Sequence, residues 1–311
     1  MMARFLVRRL LWSAPALLGV LTGVFFLIHL TPGDPIDLML GETAAEADRA
    51  SLRSALHLDE PIFRQYRHFI VGALQGDLGQ SFSYRRPVFN LILDRAPATF
   101  ELAGAALLTA LLIALPLGIL SAVRARTGAD RAILLFSLLG VSMPNFWLGP
   151  LFILLFALRL DWLPVSGRSG AASLVLPALT LGFGMSAILI RMTRASLLEV
   201  IRKDFVLAAR AKGLPERVVI LKHAFRNALI PILTVAGLQF GALLTGSIIT
   251  ETIFAWPGLG RLTLQAIQSR DYPLAQGCFL AIAVTYLAVN FVVDLFYAVV
   301  DPRVEYGRRG P

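Results

Sequence analysis

The sequence predicts an all-α membrane protein with six transmembrane helices. Of its 311 residues, 57% are apolar and only 16% are charged, whereas about 25% of the residues in an average soluble domain are charged. A bilayer core of about 30 Å takes roughly 20 helical residues to cross. Six stretches of 22 to 27 residues carry no charged side chain and meet that length: 10–33, 102–123, 132–158, 169–190, 227–250 and 272–293.

The same stretches argue against other classes of protein. A helix buried in a soluble core explains one such run, but not six runs with charged residues between them. The strands of a membrane β-barrel alternate over about ten residues instead of staying apolar for twenty. The first run exceeds the usual 7–15 apolar residues of a signal peptide and is not followed by a small-residue cleavage site, so we expect a retained anchor. Because Cys278 is the single cysteine, no disulfide or cysteine-based metal site is expected within the chain.

The basic residues predict that both termini face the cytoplasm. With the N-terminus inside, the cytoplasmic segments carry 18 Lys and Arg residues and the two short external loops carry four. Nine of the 18 lie in one loop, from Arg191 to Arg226. The long external segment carries seven, but long loops translocate largely regardless of charge. The net charge of +9 is therefore a topology signal, and nothing beyond charge suggests binding to nucleic acid.

The predicted spans divide the chain into four parts. These are an N-terminal tail with the first helix (1–33), an external helical segment (34–98), a membrane core of five helices (99–300) and a cytoplasmic tail (301–311). In the external segment, a capping box from Thr43 to Glu46 predicts a short helix. Pro61 suits the start of a second helix, which Gly76 can end, and Pro87 suits the start of a third short one.

The cytoplasmic loop at 193–230 is predicted to form two short helices joined by a tight turn. Its alanines strongly favour a helix, and Gly213 can adopt the left-handed conformation that ends one. Pro215 suits the start of the next helix, which is expected to reach about Ala228, before Pro231. Such an element has the form of a docking site for a partner. Attraction to anionic lipid would explain the charge of the loop, but not its alanines and turn.

This loop and an ordered set of other motifs resemble the permeases of ABC importers for dipeptides and oligopeptides, in particular the first of their two permease subunits. The loop is similar to the EAA-type coupling loop, with Leu207 where many relatives carry an acidic residue. The other motifs cover nearly the whole chain: Arg8-Arg9-Leu10 with Pro15, Pro32-Gly33-Asp34-Pro35, Gly76-Asp77-Leu78-Gly79-x-Ser81, Pro144-x-Phe146, Glu251-x-x-Phe254-x-x-Pro257-Gly258-Leu259-Gly260 and Asp294-x-x-Tyr297-x-x-x-Asp301-Pro302-Arg303.

The resemblance implies the fold of a type I ABC importer permease in the bacterial inner (plasma) membrane. The implied partners are a second homologous permease, cytoplasmic ABC ATPase subunits and an external substrate-binding protein. The residues implied to contact the ATPase are Ala208, Ala209, Arg210, Lys212, Gly213 and Leu214. ATP-driven closure would push this loop and rock the attached helices between inward- and outward-open states.

No catalytic residue, cofactor or metal is expected on this chain, and ATP is expected to be used by the partner subunits. A Walker A motif needs a lysine directly after a glycine, and none of the three lysines, Lys203, Lys212 and Lys222, follows one. The four histidines lack the spacing of a metal site.

Small and polar residues in the fifth run are candidates for lining a translocation path, although simple helix packing uses the same types of residue. These residues are Gly237, Gln239, Gly241 and Thr245. Glu251 is a candidate for contact with the substrate or its delivery protein. Asp294 lies toward the cytoplasmic end of the last run, and a structural ion pair with Arg191 is the favoured interpretation.

Three alternatives stay open at the level of sequence. Importers of nickel and of other small solutes share this permease pattern, because selectivity usually resides in the separate binding protein. An ion-coupled carrier would place ionisable residues near the membrane midplane, where the first five runs have none. An intramembrane enzyme ranks lowest, since no catalytic pair of residues is evident at membrane depth.

Overall fold

The computed structural model describes residues 15–26, 36, 46–55 and 59–300, and these are mainly helical. In that part of the chain, the only β-type pairing is an isolated bridge between Gln80 and Pro87. Contacts divide the chain into two compact units, Met1–Thr99 with Pro257–Leu287 and Phe100–Trp256 with Ala288–Pro311. They are called the first and the second unit below.

The helices are numbered in chain order. They are α1 (Pro15–Phe26), α2 (Glu46–Ala55), α3 (Ile62–Gln75), α4 (Val88–Val123), α5 (Gly128–Ser142), α6 (Asn145–Phe152), α7 (Ala171–Ile201), α8 (Asp204–Ala211), α9 (Glu216–Val218), α10 (Phe225–Gly246), α11 (Ile248–Ile253), α12 (Leu259–Gln268) and α13 (Tyr272–Val300). Two π-helical segments, Ile153–Arg159 and Val219–Ala224, continue α6 and join α9 to α10.

The described helices support four membrane spans, and five if the bent pair α5–α6 counts as one. The four are α4, α7, the continuous stretch Glu216–Leu244 and the apolar part of α13. Within the predicted first span, only the 12 residues of α1 are described. The expected helical membrane architecture is therefore confirmed, whereas the described residues do not confirm the count of six spans.

The predicted third span is sharply broken. Its two helical halves, Gly128–Ser142 and Asn145–Arg159, meet at an angle of 103°. Met143 has an extended backbone (ψ 115°) and is followed by Pro144, whose ring disfavours the helical conformation in the residue before it. A run without charges shows that this segment is apolar, but not that it is straight.

The segment predicted to be external, 34–98, contains the expected helices, with one correction. Gly76 ends α3 in the left-handed conformation (φ 79°), and the next amide, of Asp77, donates to the Gly72 carbonyl at 2.9 Å. The helix after Pro87 was expected to be short, but α4 runs for 36 residues and includes the second apolar run. Thr43 of the predicted capping box lies outside the described residues, and the helix there begins at Glu46.

The first unit is built around the start of α4, the helix α12 and the start of α13. Their buried side chains form one cluster that includes Val88, Leu262 and Cys278. In the same unit, α1 packs against α3 through aromatic rings, with the ring centroids of Phe25 and Tyr66 5.3 Å apart.

In the second unit, α7 is the central helix. It packs against α10 and against both halves of the broken span. In its 18-residue apolar segment 67% is buried, compared with 33% in the corresponding segment of Glu216–Leu244. Glycines allow α4 and α7 to approach closely. A Cβ on Gly182 of α7 would lie 2.7 Å from the Ala106 carbonyl oxygen of α4, and a Cβ on Gly118 of α4 would lie 2.5 Å from Thr193 Cβ of α7. The loop predicted to dock a partner follows directly from the end of α7.

Candidate functional site

The loop between α7 and α10 forms a short helix, α8, followed by a tight turn. Ala208, Ala209 and Ala211 belong to its eight residues, in line with their high helix propensity. Gly213 follows with a φ of +76°, a left-handed conformation that is unfavourable for residues with a Cβ. Pro215 then precedes α9 as expected. The next helix was expected to end before Pro231, but α10 continues through this proline to Gly246, as membrane helices tolerate.

One face of α8 is anchored in the second unit. Val206 and Ala209 are buried, 0% and 6% exposed, and their spacing of three residues places them on the same face of a helix. They belong to one hydrophobic cluster with residues from the ends of α4 and α7 and the start of the stretch to α10: Ala122, Leu197, Val200, Val219, Ile220, Ala224, Ala228 and Ile232. α8 therefore packs against three long helices.

Other positions of α8 and of the turn that follows it expose apolar side chains. Phe205 is 42% exposed, Leu207 is 52% exposed and Leu214, just after the turn, is 37% exposed. Ala208 and Lys212 are exposed between them. Exposed apolar side chains next to charged ones are typical of a surface that binds another protein. We call Phe205, Leu207, Ala208 and Leu214 the α8 surface.

Arg210 closes the turn. Its guanidinium donates to both carboxylate oxygens of Glu216, at 2.7 and 3.2 Å, and this pairing raises the pKa of Arg210. Arg210 and Lys212 were both predicted to contact a partner. The structure engages Arg210 within the chain and leaves Lys212 exposed.

A buried carboxylate beside this site was missed by the sequence analysis. Asp130 Oδ1 accepts hydrogen bonds from Ser121 Oγ at 2.5 Å and Arg194 Nε at 2.8 Å, and Asp130 Oδ2 accepts from the Arg126 amide at 2.7 Å and Arg194 Nη2 at 2.8 Å. Ser121 and Arg194 lie at the ends of α4 and α7 that also anchor α8. The spacing from Thr127 to Asp130 resembles a capping box, and Thr127 does begin α5 as its cap. That local signal predicts the cap but not the partner, since Arg194 is 64 residues away.

The four candidate path residues lie on α10, and the structure describes the surroundings of three of them. A Cβ on Gly237 would lie 2.5 Å from a methyl group of Val293, so α10 and α13 approach closely there. Gly241 is buried and Gln239 is half-buried. The side chain of Thr245 lies outside the described residues. The same holds for Asp294, so its predicted pairing with Arg191 stays a prediction.

Glu251 is fully buried, 0% exposed. Its Oε1 accepts a hydrogen bond from Ser247 Oγ at 3.0 Å, and its carbonyl accepts from the Trp256 amide at 2.8 Å. The carboxylate thus supports the turn after α11. Contact with an external protein or substrate, as predicted, would require this turn to open.

Comparison with protein families matches both parts of the chain. Residues 114–306 match the family described as binding-protein-dependent transport system inner membrane component. Residues 2–103 match the N-terminal domain of the corresponding membrane components.

The chain is also similar over nearly its full length to characterised permeases. It is 40% identical to the dipeptide transport system permease protein DppB of Escherichia coli strain K12, covering 98% of this chain and 99% of that protein. It is 42% identical to the glutathione transport system permease protein GsiC of Pectobacterium atrosepticum, covering 98% and 100%. The di/tripeptide permease DppB of Pseudomonas aeruginosa is 40% identical, with coverage of 99% and 100%.

Among solved structures, the fold resembles a chain of the inward-facing MetNI methionine ABC transporter. The TM-score is 0.59 at 19% identity, and the match covers 68% of this chain and 96% of that one. The membrane part therefore has the fold of that transporter chain. The family match covers more than half of the sequence and includes the α8 loop between two membrane helices. The chain therefore belongs to the family of binding-protein-dependent transport system inner membrane components.

Proposed function

We propose that the chain is one of two permease subunits of an ATP-driven ABC importer for di- and oligopeptides. It forms the translocation path together with a second homologous permease. Cytoplasmic ATPase subunits supply the energy, and an external binding protein delivers the substrate. The chain itself binds no nucleotide and carries out no hydrolysis.

The α8 surface carries the proposal. Phe205 and Leu207 expose apolar area, while Val206 and Ala209 hold the same helix on the ends of α4, α7 and the stretch to α10. A helix that is exposed on one face and anchored on the other can both receive a partner and transmit its movement. A lipid-facing role would need neither the left-handed turn at Gly213 nor the pairing of Arg210 with Glu216.

The packing suggests how a push on α8 opens and closes the path. ATP-driven closure of the ATPase subunits displaces α8, and the cluster around Val206 moves with it because packed cores shift between discrete arrangements rather than deform continuously. Asp130 joins the ends of α4 and α7, so these two helices move as one body. Gly237, Gln239, Gly241 and Thr245 on α10 would line the path that opens.

The proposed orientation places both termini and α8 in the cytoplasm, as the distribution of basic residues indicates. The substrate class follows from the relatives, whose names specify dipeptides, di/tripeptides and glutathione. All of these are short peptides with a free carboxylate.

Transport in sealed vesicles tests the proposal. Right-side-out vesicles that contain the complete importer, with ATP inside and with binding protein and peptide outside, should take up peptide when the proton gradient is collapsed. Uptake that persists without ATP and is lost with an uncoupler would instead identify an ion-coupled carrier.

A matched pair of leucine variants tests the role of α8. Leu207→Ser on the α8 surface should abolish peptide-stimulated ATP hydrolysis, because a polar group replaces an apolar contact with the ATPase. Leu138→Ser is the control, since Leu138 is similarly exposed on α5, 54% compared with 52%. Equal stimulation in both variants would contradict docking through α8.

A further inference from the structure

A polar cleft lies in the first unit, away from the α8 surface in sequence. It has a volume of about 100 Å³, which is large enough for a small charged group. The side chains that define its chemistry are Tyr84, Arg95, Arg261 and Gln265. On the proposed orientation, they belong to the external segment and to the external loop before α13.

The cleft combines two positive charges with no lining carboxylate. Arg95 comes from the start of α4 and Arg261 from the first turn of α12. Within the described part of the chain, no acidic side chain forms an ion pair with Arg95; its neighbour Asp94 pairs with Arg86 at 2.9 Å. An anion placed between two guanidinium groups is attracted to both of them.

The remaining groups around the cleft also favour an acceptor. Tyr84 donates its hydroxyl hydrogen to Gln265 Oε1 at 3.3 Å, which leaves the amide NH₂ of Gln265 as a donor. Gly258, which precedes α12, also lines the cleft, and the positive end of the α12 dipole adds to the attraction for a negative charge. Arginine and amide donors together suit a ligand that only accepts hydrogen bonds.

The elements that carry these donors are held rigidly. Asp271, fully buried, accepts from Ser81 Oγ at 2.5 Å and from the Ser83 amide at 2.9 Å. Ser81 Oγ in turn accepts from the Tyr84 amide at 3.0 Å, so the turn that carries Tyr84 is attached to the start of α13. Thr99 Oγ1 accepts from the Leu259 amide at 2.8 Å and fixes α12 to α4. Donors on rigid supports lose little entropy when a ligand binds.

From these observations, we propose that the cleft between Arg95 and Arg261 is a binding site for a carboxylate. A planar carboxylate accepts two parallel hydrogen bonds from a guanidinium, and its size fits the cleft. The carboxylate comes either from the transported peptide or from an acidic side chain of the external binding protein. This inference rests on the proposed function, because both sources belong to a peptide importer.

The test uses the complete importer in lipid nanodiscs. Two measurements are made: the affinity for the binding protein by surface plasmon resonance, and the rise in unfolding temperature with Ala-Ala, its C-terminal amide or inorganic phosphate. Binding to the folded state raises the unfolding temperature. The variants are Arg95→Gln and Arg261→Gln, and Arg64→Gln is the control, because Arg64 is an exposed arginine on α3.

Two results support the proposal and separate the sources. If the binding protein supplies the carboxylate, both cleft variants weaken its affinity by about tenfold or more, as expected for loss of a charge-assisted hydrogen bond. If the peptide supplies it, Ala-Ala raises the unfolding temperature of the wild type but not of the cleft variants, and the amide has no effect.

Three results overturn the proposal. In the first, Arg95→Gln changes neither measurement. In the second, Arg64→Gln weakens binding as much as the cleft variants, which shows general electrostatics. In the third, inorganic phosphate stabilises the importer more than Ala-Ala does, and the cleft variants keep their affinity for the binding protein. Arg95→Gln alone suffices if Arg261→Gln fails to assemble. ATP-driven uptake by the wild type is measured in parallel, so that failure of the proposed function is recognised separately.

Discussion

At the scale of single residues, Asp130 shows how much one side chain contributes to the core beside the candidate site. Its side chain is only 3% exposed and forms an ion pair with Arg194, itself 24% exposed. Both carboxylate oxygens also accept hydrogen bonds from Ser121 or from the Arg126 amide. A buried charge is tolerated when its hydrogen-bonding capacity is met in this way.

We expect Asp130→Asn to destabilise the protein by on the order of 3 kcal/mol, because removal of one partner leaves the other charge uncompensated. Asp94→Asn is the matched control, since Asp94 is 54% exposed in its pair with Arg86 and such surface pairs contribute under about 1 kcal/mol. Thermal unfolding in detergent micelles measures the difference. Similar shifts in both variants would show that the buried pair contributes no more than a surface pair.

At the scale of elements, the turn after α8 sets the angle at which the chain returns to the membrane. Gly213 adopts a left-handed backbone (φ 76°), and a Cβ built there meets nothing within 4 Å. Backbone conformation and not space therefore requires a glycine. Arg210 and Glu216 then connect the two sides of the turn.

This predicts an order among Gly213 variants. Gly213→Ala should lower peptide-stimulated ATP hydrolysis, because a left-handed residue with a Cβ costs about 1–2 kcal/mol. Gly213→Asn should retain more activity, although its side chain is larger, because asparagine tolerates this conformation. Quantitative immunoblotting of membranes checks that both variants insert equally. An activity that falls with side-chain size, with alanine best, would show that space and not backbone conformation is decisive.

At the scale of the whole molecule, the charge distribution predicts which side of the membrane each loop occupies. The described helices include four long apolar spans and a fifth that is bent, and the α8 loop lies between two of them. The single cysteine, Cys278, is buried, so engineered cysteines can report the topology against a silent background.

We expect a membrane-impermeant maleimide to label Arg64→Cys in intact spheroplasts and Lys212→Cys only in inside-out vesicles. Both positions are exposed, and the parent chain with Cys278 alone should stay unlabelled in both preparations. Labelling of Lys212→Cys in intact spheroplasts would reverse the proposed orientation.

Much of the fold could be predicted from local patterns. A span is recognised by its length and lack of charge, and the turn residues Gly76 and Gly213 by their conformational freedom. The resemblance of the α8 loop to coupling loops likewise rests on residues close together in sequence. The division of α8 into a buried face and an exposed one could not be predicted from these local patterns, because its alanines fit either environment.

The sequence by itself determined that this is a helical membrane protein, its family and the position of its candidate docking loop, because these depend on composition and on short motifs. Only the tertiary structure decided that the third span bends by 103°, that Asp130 pairs with Arg194 and that Arg95 and Arg261 line one cleft. The physical reason is distance along the chain. Hydropathy and turn preference act over a few residues, whereas ion pairs and clefts join residues that folding brings together from distant segments.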